Sequence, residues 1–281
     1  MATPITSQLM FGISMAIYLL SFLGYLILAA SKKKSYGTAS TILLLVGLAL
    51  HSLGLVFRWL ETHQTGYGYV PLSNMYESLV FFSWTIVLIY LIIEWKYKQK
   101  IIGVFVTPIA FLAIALTSIV GIDPQIRPLV PALQSNWLTI HVTTCFFGYA
   151  AFAVSFGISI LYLIRDRKEK EKGELSSWLP ATSILDEINY KSIVIGFPML
   201  TLGIVTGAAW ANYAWGTYWS WDPKETWSLI TWFIYAAFLH ARLTRDWRGR
   251  KAAILSIVGF AAVLFTYFGV NYILSGLHSY A

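Results

Sequence analysis

Eight apolar runs, near residues 8–30, 41–60, 75–93, 101–120, 137–164, 191–211, 227–243 and 252–275, leave this chain little choice of architecture. Each approaches the roughly twenty predominantly apolar residues that a helix needs to cross a bilayer. The expectation is an all-α polytopic membrane protein with about eight transmembrane helices. Basic residues sort the connections between the runs. Lys32, Lys33 and Lys34 follow the first run, Lys96, Lys98 and Lys100 the third, Arg165 to Lys172 the fifth, and Arg242 to Lys251 the seventh. The opposite connections carry few, Arg127 and Lys224, with Arg58 at the end of the second run. Positive charge accumulates on the cytoplasmic side. Both termini are therefore expected outside, together with the connection between helices 6 and 7.

Charged residues make up only 12% of the chain and mean hydropathy is +0.65, so the net charge of +7 reflects membrane topology. No nucleic-acid role is expected. The one cysteine, Cys145, lies in an apolar run, so the chain forms no internal disulfide and has no Cys-x-x-Cys-His site of its own. It is not itself a c-type cytochrome. No cleavable signal peptide stands out, because the N-terminus lacks a basic segment and the first run is long enough to span. Neither a repeat nor a soluble domain is evident, and residues 1–281 read as a single membrane-embedded domain. The long inside connection from Arg165 to Lys191 places Trp178, Leu179, Ile184, Leu185 and Ile188 among polar residues. Either an interfacial amphipathic helix or a polar linker would have this pattern.

Within the external segment 212–227 lies Trp215-Gly216-Thr217-Tyr218-Trp219-Ser220-Trp221-Asp222-Pro223-Lys224-Glu225-Thr226-Trp227. Indole rings favour both membrane surfaces, so an aromatic belt is one reading. A belt needs neither the glycine, nor the Asp-Pro turn, nor this density, and the alternative is a platform for a flat macrocycle, haem. Histidines bear on the choice, since His is the usual protein ligand of haem iron and is rare inside membranes without a function. His141 lies near the outer start of the fifth span, one turn beyond Trp137. His278 lies just past the outer end of the eighth. Both are expected at the level of the tryptophan-rich loop, where two imidazoles could hold a haem from opposite faces.

His240 is different. Thirteen residues at 1.5 Å each put it roughly 20 Å deeper than Trp227. It either hydrogen-bonds a neighbouring helix or marks a second haem site. His51, inside the second span, reads as a packed polar residue and His63 as a solvated one. No two histidines are expected to share a helix, which argues against a di-haem cytochrome b. No His-Glu-x-x-His or Gly-x-Ser-x-Gly supports hydrolysis. His141 and Cys145 at i,i+4 fall short of a metal site, and Cys145 reads as core.

The tryptophan-rich run resembles the signature of haem-handling proteins, and the chain resembles the CcsA (ResC) family of system II cytochrome c synthase subunits. Pro71-Leu72-Ser73-Asn74-Met75-Tyr76-Glu77-Ser78, Pro131-Ala132-Leu133-Gln134-Ser135-Asn136-Trp137 with His141, and Gly269-Val270-Asn271-Tyr272 leading to His278 carry the likeness in order. It spans most of residues 40 to 281. The resemblance implies export of haem b, bound without covalent attachment, and its presentation at an external bis-His site, His141 with His278. There it would be joined to the Cys-x-x-Cys-His of an apocytochrome c. It maps His240 onto a transmembrane ligand whose mate comes from a companion subunit, CcsB (ResB).

On that reading Trp215, Trp219 and Trp221 offer flat contact to the porphyrin and indole donors to its edge. Asp222 and Pro223 fix the turn, with Asp222 accepting backbone amides. Lys224 and Arg58 either pair with propionates or snorkel to the headgroups. Glu77 and Glu225 cap the outer starts of the third and seventh spans. Apocytochrome c and thiol-reducing proteins are further expected partners. The membrane is expected to be a bacterial plasma membrane, or else a thylakoid. The alternatives are a haem transporter or chaperone that delivers to a separate ligase, and a scaffold without cofactor.

Overall fold

The computed structural model describes residues 6–172 and 178–274. Among them every regular element is helical: α1 (Ser7–Ser31), α2 (Lys34–Gln64), α3 (Met75–Tyr97), α4 (Gly103–Ile119), α5 (Asn136–Lys172), α6 (Thr182–Trp215), α7 (Pro223–Arg245), α8 (Arg250–Leu264) and the short α9 (Val270–Ile273). A π-turn, Phe265–Gly269, joins α8 to α9 within one span. Six of the long helices, α1 to α6, and this final span are long and apolar enough to cross a membrane. α7 is the eighth long element, with Lys224 and Glu225 at one end and Arg242 and Arg245 at the other. The all-α polytopic expectation is met. A helix satisfies its own backbone groups, which is the condition for crossing lipid.

Several helices outrun their apolar cores. α2 begins at Lys34 rather than near 41, and α6 at Thr182 rather than near 191. The connection from Arg165 to Lys191, open between an amphipathic helix and a polar linker, is divided between an extended α5 and the first turns of α6. Leu185 and Ile188 are fully buried there. Intrahelical hydrogen bonds do not stop where hydrocarbon stops, so polar flanks continue the helix.

The chain forms two compact units, Met1–Gln134 and Ser135–Ala281. In the first, α1 buries Ser7, Phe11, Ser14, Tyr18, Ser21, Tyr25 and Leu28, the alternating four-and-three spacing of a left-handed helix pair. Its rings meet small residues: Phe11 lies against Gly54 and Tyr18 against Gly47 of α2. Ser7 at the start of α1 donates to Glu61 near the end of α2, so the pair is antiparallel. His51 is buried in this seam, 3.1 Å from the Tyr18 hydroxyl and edge-on to Phe11, and is the packed polar residue expected. His63 is exposed.

Arg58 corrects an expectation. Only 2% of its surface is exposed, and its Nε and Nη2 donate to Glu77 Oε1 at 3.1 and 3.0 Å. Glu77 Oε2 takes the Ser73 amide and hydroxyl, and Asn74 caps α3 through the Glu77 amide. Arg58 is committed to this pair and does not snorkel to the headgroups. Arg58→Met is expected to destabilise the first unit by about 3–5 kcal/mol, because it strands a buried carboxylate, and adding Glu77→Leu should recover most of the loss. Thermal unfolding of the two variants in detergent checks this. Equal loss in both would disprove it.

In the second unit α5 packs on α6 and α8, and α7 on α6 and α8. Polar side chains staple the helices. Ser155 of α5 bonds both Asn189 of α6 and Ser256 of α8. Arg242 of α7 pairs with Asp186 of α6 at 2.7 Å.

Candidate functional site

His141 sits in the second turn of α5 and is half-buried against α6. Its Nδ1 lies 2.7 Å from the Gly203 carbonyl. A carbonyl only accepts, so Nδ1 carries the proton and Nε2 keeps its lone pair. This is the arrangement by which proteins orient a metal-binding imidazole and fix its tautomer. Two glycines make the approach possible. A Cβ on Gly207 would lie 2.7 Å from His141 Cε1 and Nδ1, and one on Gly203 would lie 2.5 Å from Cys145 Sγ. Gly203-x-x-x-Gly207 is thus the small-residue seam that lets α5 and α6 touch. Cys145 is buried in it, 3.7 Å from the imidazole, and is core as expected.

One turn beyond Gly207, Trp210 lies nearly parallel to the His141 ring, with centroids 5.9 Å apart and planes at 17°. Trp215 meets Trp210 edge-on at 4.9 Å. Sequence reasoning passed over Trp210 because it falls inside an apolar run. The i,i+3 step from Gly207 was the signal available. α6 ends at Trp215 because Gly216 takes the left-handed conformation, φ 76°, and returns its amide to Asn212.

The turn that follows is held by Glu225. Its Oε2 accepts the Ser220 amide at 2.8 Å, the Ser220 hydroxyl at 3.3 Å and the Asp222 amide at 3.2 Å. Asp222 Oδ1 accepts the Lys224 amide at 2.9 Å, completing a capping box with Pro223 in the first turn of α7. The turn roles expected of Asp222, Pro223 and Glu225 are those observed. Trp219 and Trp221 stand edge to face, 5.7 Å apart at 88°. The Trp219 indole N–H is buried with no hydrogen-bond partner among the described residues. Trp221 is 68% exposed and holds a left-handed φ of 60°. A bulky side chain in that region costs about 1–3 kcal/mol and marks functional loops.

Lys224 is tied to the last span. Its ammonium donates to Asn271 Oδ1 at 2.8 Å. His240 lies about 26 Å along α7 from Pro223 at 1.5 Å per residue, so it is not brought to His141. Its ring is exposed and makes no side-chain hydrogen bond among the described residues. His278 lies outside the described residues. No three His, Cys, Asp or Glu converge among the described residues. Haem iron brings four porphyrin nitrogens of its own, so the fit to test is that of a planar group with one or two protein ligands. An oriented imidazole, a row of indoles and an unused N–H fit such a planar group.

These features belong to an all-α polytopic membrane protein with an aromatic-rich loop beside an oriented histidine. The model of the family described as Cytochrome C assembly protein matches residues 72–278, and the chain belongs to that family and has a role in cytochrome c maturation. Its relatives include the Cytochrome c biogenesis protein CcsA of Guillardia theta, 40% identical over 95% of this chain and 93% of that one. That of Microcystis aeruginosa is 40% identical over 87% of each. Among solved structures, Cytochrome c Heme Lyase CcmF shares the fold with a TM-score of 0.73 and 17% identity, over 95% of this chain and 48% of that one.

Proposed function

We propose that the chain receives haem b from the cytoplasmic side and presents it outside, beside the tryptophan-rich loop, for thioether attachment to an apocytochrome c. The observation that carries this reading is the His141 tautomer: the Gly203 carbonyl accepts the Nδ1–H and leaves the Nε2 lone pair available as a ligand. His278 is proposed as the second external ligand. Trp215, Trp219 and Trp221 supply the shelf, with Asp222 anchoring the turn that shapes it. The unused Trp219 N–H suits an oxygen at the macrocycle edge.

The chemistry asks little of the protein beyond position. Each substrate thiol adds across a vinyl group, sulfur to one carbon and hydrogen to the other, so no oxidant is consumed. Holding the haem edge open to an incoming Cys-x-x-Cys-His provides proximity and orientation. His240, exposed on α7, suits a transmembrane site whose other ligand comes from a CcsB-like subunit. Thiol-reducing proteins would keep the substrate cysteines ready. The charge pattern of the loops supports external termini and an external tryptophan loop. We place the protein in a bacterial plasma membrane; the relative in Microcystis aeruginosa, a cyanobacterium, favours the thylakoid as second reading.

The test is the haem content and reduced spectrum of the chain purified with its CcsB-like partner, in wild type, His278→Ala and His240→Ala. Separate losses of non-covalent haem in the two variants are expected. Adding a Cys-x-x-Cys-His peptide under reduction should yield covalent product. Haem release without bond formation would favour a chaperone delivering to a separate ligase, and no haem in any preparation would sink the proposal.

A further inference from the structure

We infer that Lys224 and Asn271 form a positioning pair that sets the spacing between the tryptophan-rich loop and the exit of the last span. The inference rests on the proposed reading of His141 and His278 as haem ligands. Lys224 is the second residue of α7, directly after the capped turn. Its Nζ donates to Asn271 Oδ1 at 2.8 Å, while Asn271 Nδ2 donates to the Tyr267 carbonyl at 2.8 Å. The second bond fixes the amide: with Nδ2 directed back along its own helix, Oδ1 must face the ammonium. Asn271 stands seven residues before His278 in sequence.

The π-turn explains how one span can present this residue. The Thr266 hydroxyl, which donates to the Ala262 carbonyl of its own helix at 2.8 Å, also lies 3.2 Å from the Trp227 carbonyl and 3.1 Å from the Thr231 hydroxyl. Phe265 packs on Trp227, with ring centroids 4.1 Å apart. Thr266 and Asn271 therefore both face the first two turns of α7, although they are five residues apart. In a regular α-helix a five-residue step leaves two side chains about 140° apart around the axis. A turn with i to i+5 hydrogen bonds brings them to one side, and such turns recur at functional sites. The wide turn, the threonine contact and the Lys224–Asn271 bond thus act as one brace. It joins the base of the loop that carries Trp219 and Trp221 to α9. Lys224 acts through Asn271 rather than on a propionate.

The experiment compares Lys224→Met, Asn271→Leu, their double variant, Lys224→Arg and His141→Ala, each purified with the CcsB-like partner. The readouts are haem per protein, the spin state in the absorption spectrum, and the concentration of added imidazole that binds the iron. Each of Lys224→Met and Asn271→Leu is expected to lower haem retention about 10-fold and to open the iron to imidazole, as loss of a supporting contact does at metal sites. The double variant should be no worse than either single one, because both remove the same interaction. Lys224→Arg should stay close to wild type. Loss in Lys224→Met with an unaltered Asn271→Leu would overturn the inference in favour of direct haem contact by the lysine. Wild-type behaviour of both, with haem lost in His141→Ala, would overturn it outright. If His141→Ala is also unaltered, the underlying ligand reading has failed instead. Should the apolar variants not accumulate, the exchange Lys224→Asn with Asn271→Lys decides: restored haem binding supports the brace, and its absence refutes it.

Discussion

His141→Ala is expected to abolish cytochrome c maturation, with covalent haem in cytochrome c falling by about 100-fold or more. Loss of a mere supporting contact already costs about 10–100-fold at metal sites, and this change removes the proposed ligand itself. The substitution should do little to the fold. The imidazole is half-buried, and its one strong bond goes to the Gly203 carbonyl, which Thr206 also approaches at 3.2 Å. Added imidazole should restore part of the activity by occupying the vacated position. Haem-stained cytochrome c in cells carrying the variant, with and without imidazole, gives the measurement. Normal maturation without supplement would rule out His141 as a ligand.

Gly207→Leu should produce nearly the same loss without touching the ligand. The new Cβ alone would stand 2.7 Å from the imidazole. Helix backbone cannot yield easily at a seam where Gly203 is equally tight against Cys145. The ring must swing off the Gly203 carbonyl, which releases its tautomer. Overpacking of this kind costs about 1–3 kcal/mol of stability. The larger effect should be on haem affinity, down by about 10–100-fold as orientation is lost. Gly207→Ala should move the same way by less. Gly12→Ala is a matched control, since nothing lies within 4 Å of the added carbon there. Haem retention on dilution, measured beside thermal stability, distinguishes the cases. A folded Gly207→Leu protein with wild-type retention would show that the seam does not position the ligand.

The parts of this site that were legible in the sequence are those encoded by neighbours. Asp222-Pro223-Lys224-Glu225 spells a helix start, and the capping box is found there. The apolar runs marked the helices, and the single placement of His141 near a span end marked a ligand candidate. What was hidden depends on contacts between distant residues. Arg58 read as a surface cation because its partner Glu77 lies 19 residues away and meets it only when α2 and α3 pack. Trp210 was lost among other apolar residues, since its stacking on His141 requires α5 and α6 to close on two glycines. The helix ends were misjudged at α2 and α6 because hydropathy reports where lipid begins, and hydrogen bonding decides where a helix ends.

The left-handed backbone of Trp221 sets a condition on anyone who redesigns this protein. Glycine or asparagine would hold that turn at little cost, and a search for greater stability would replace the indole among its first moves. The chain instead carries its least economical side chain at its least tolerant position. Any programme of stabilisation that aims to keep the loop intact must therefore exempt residue 221.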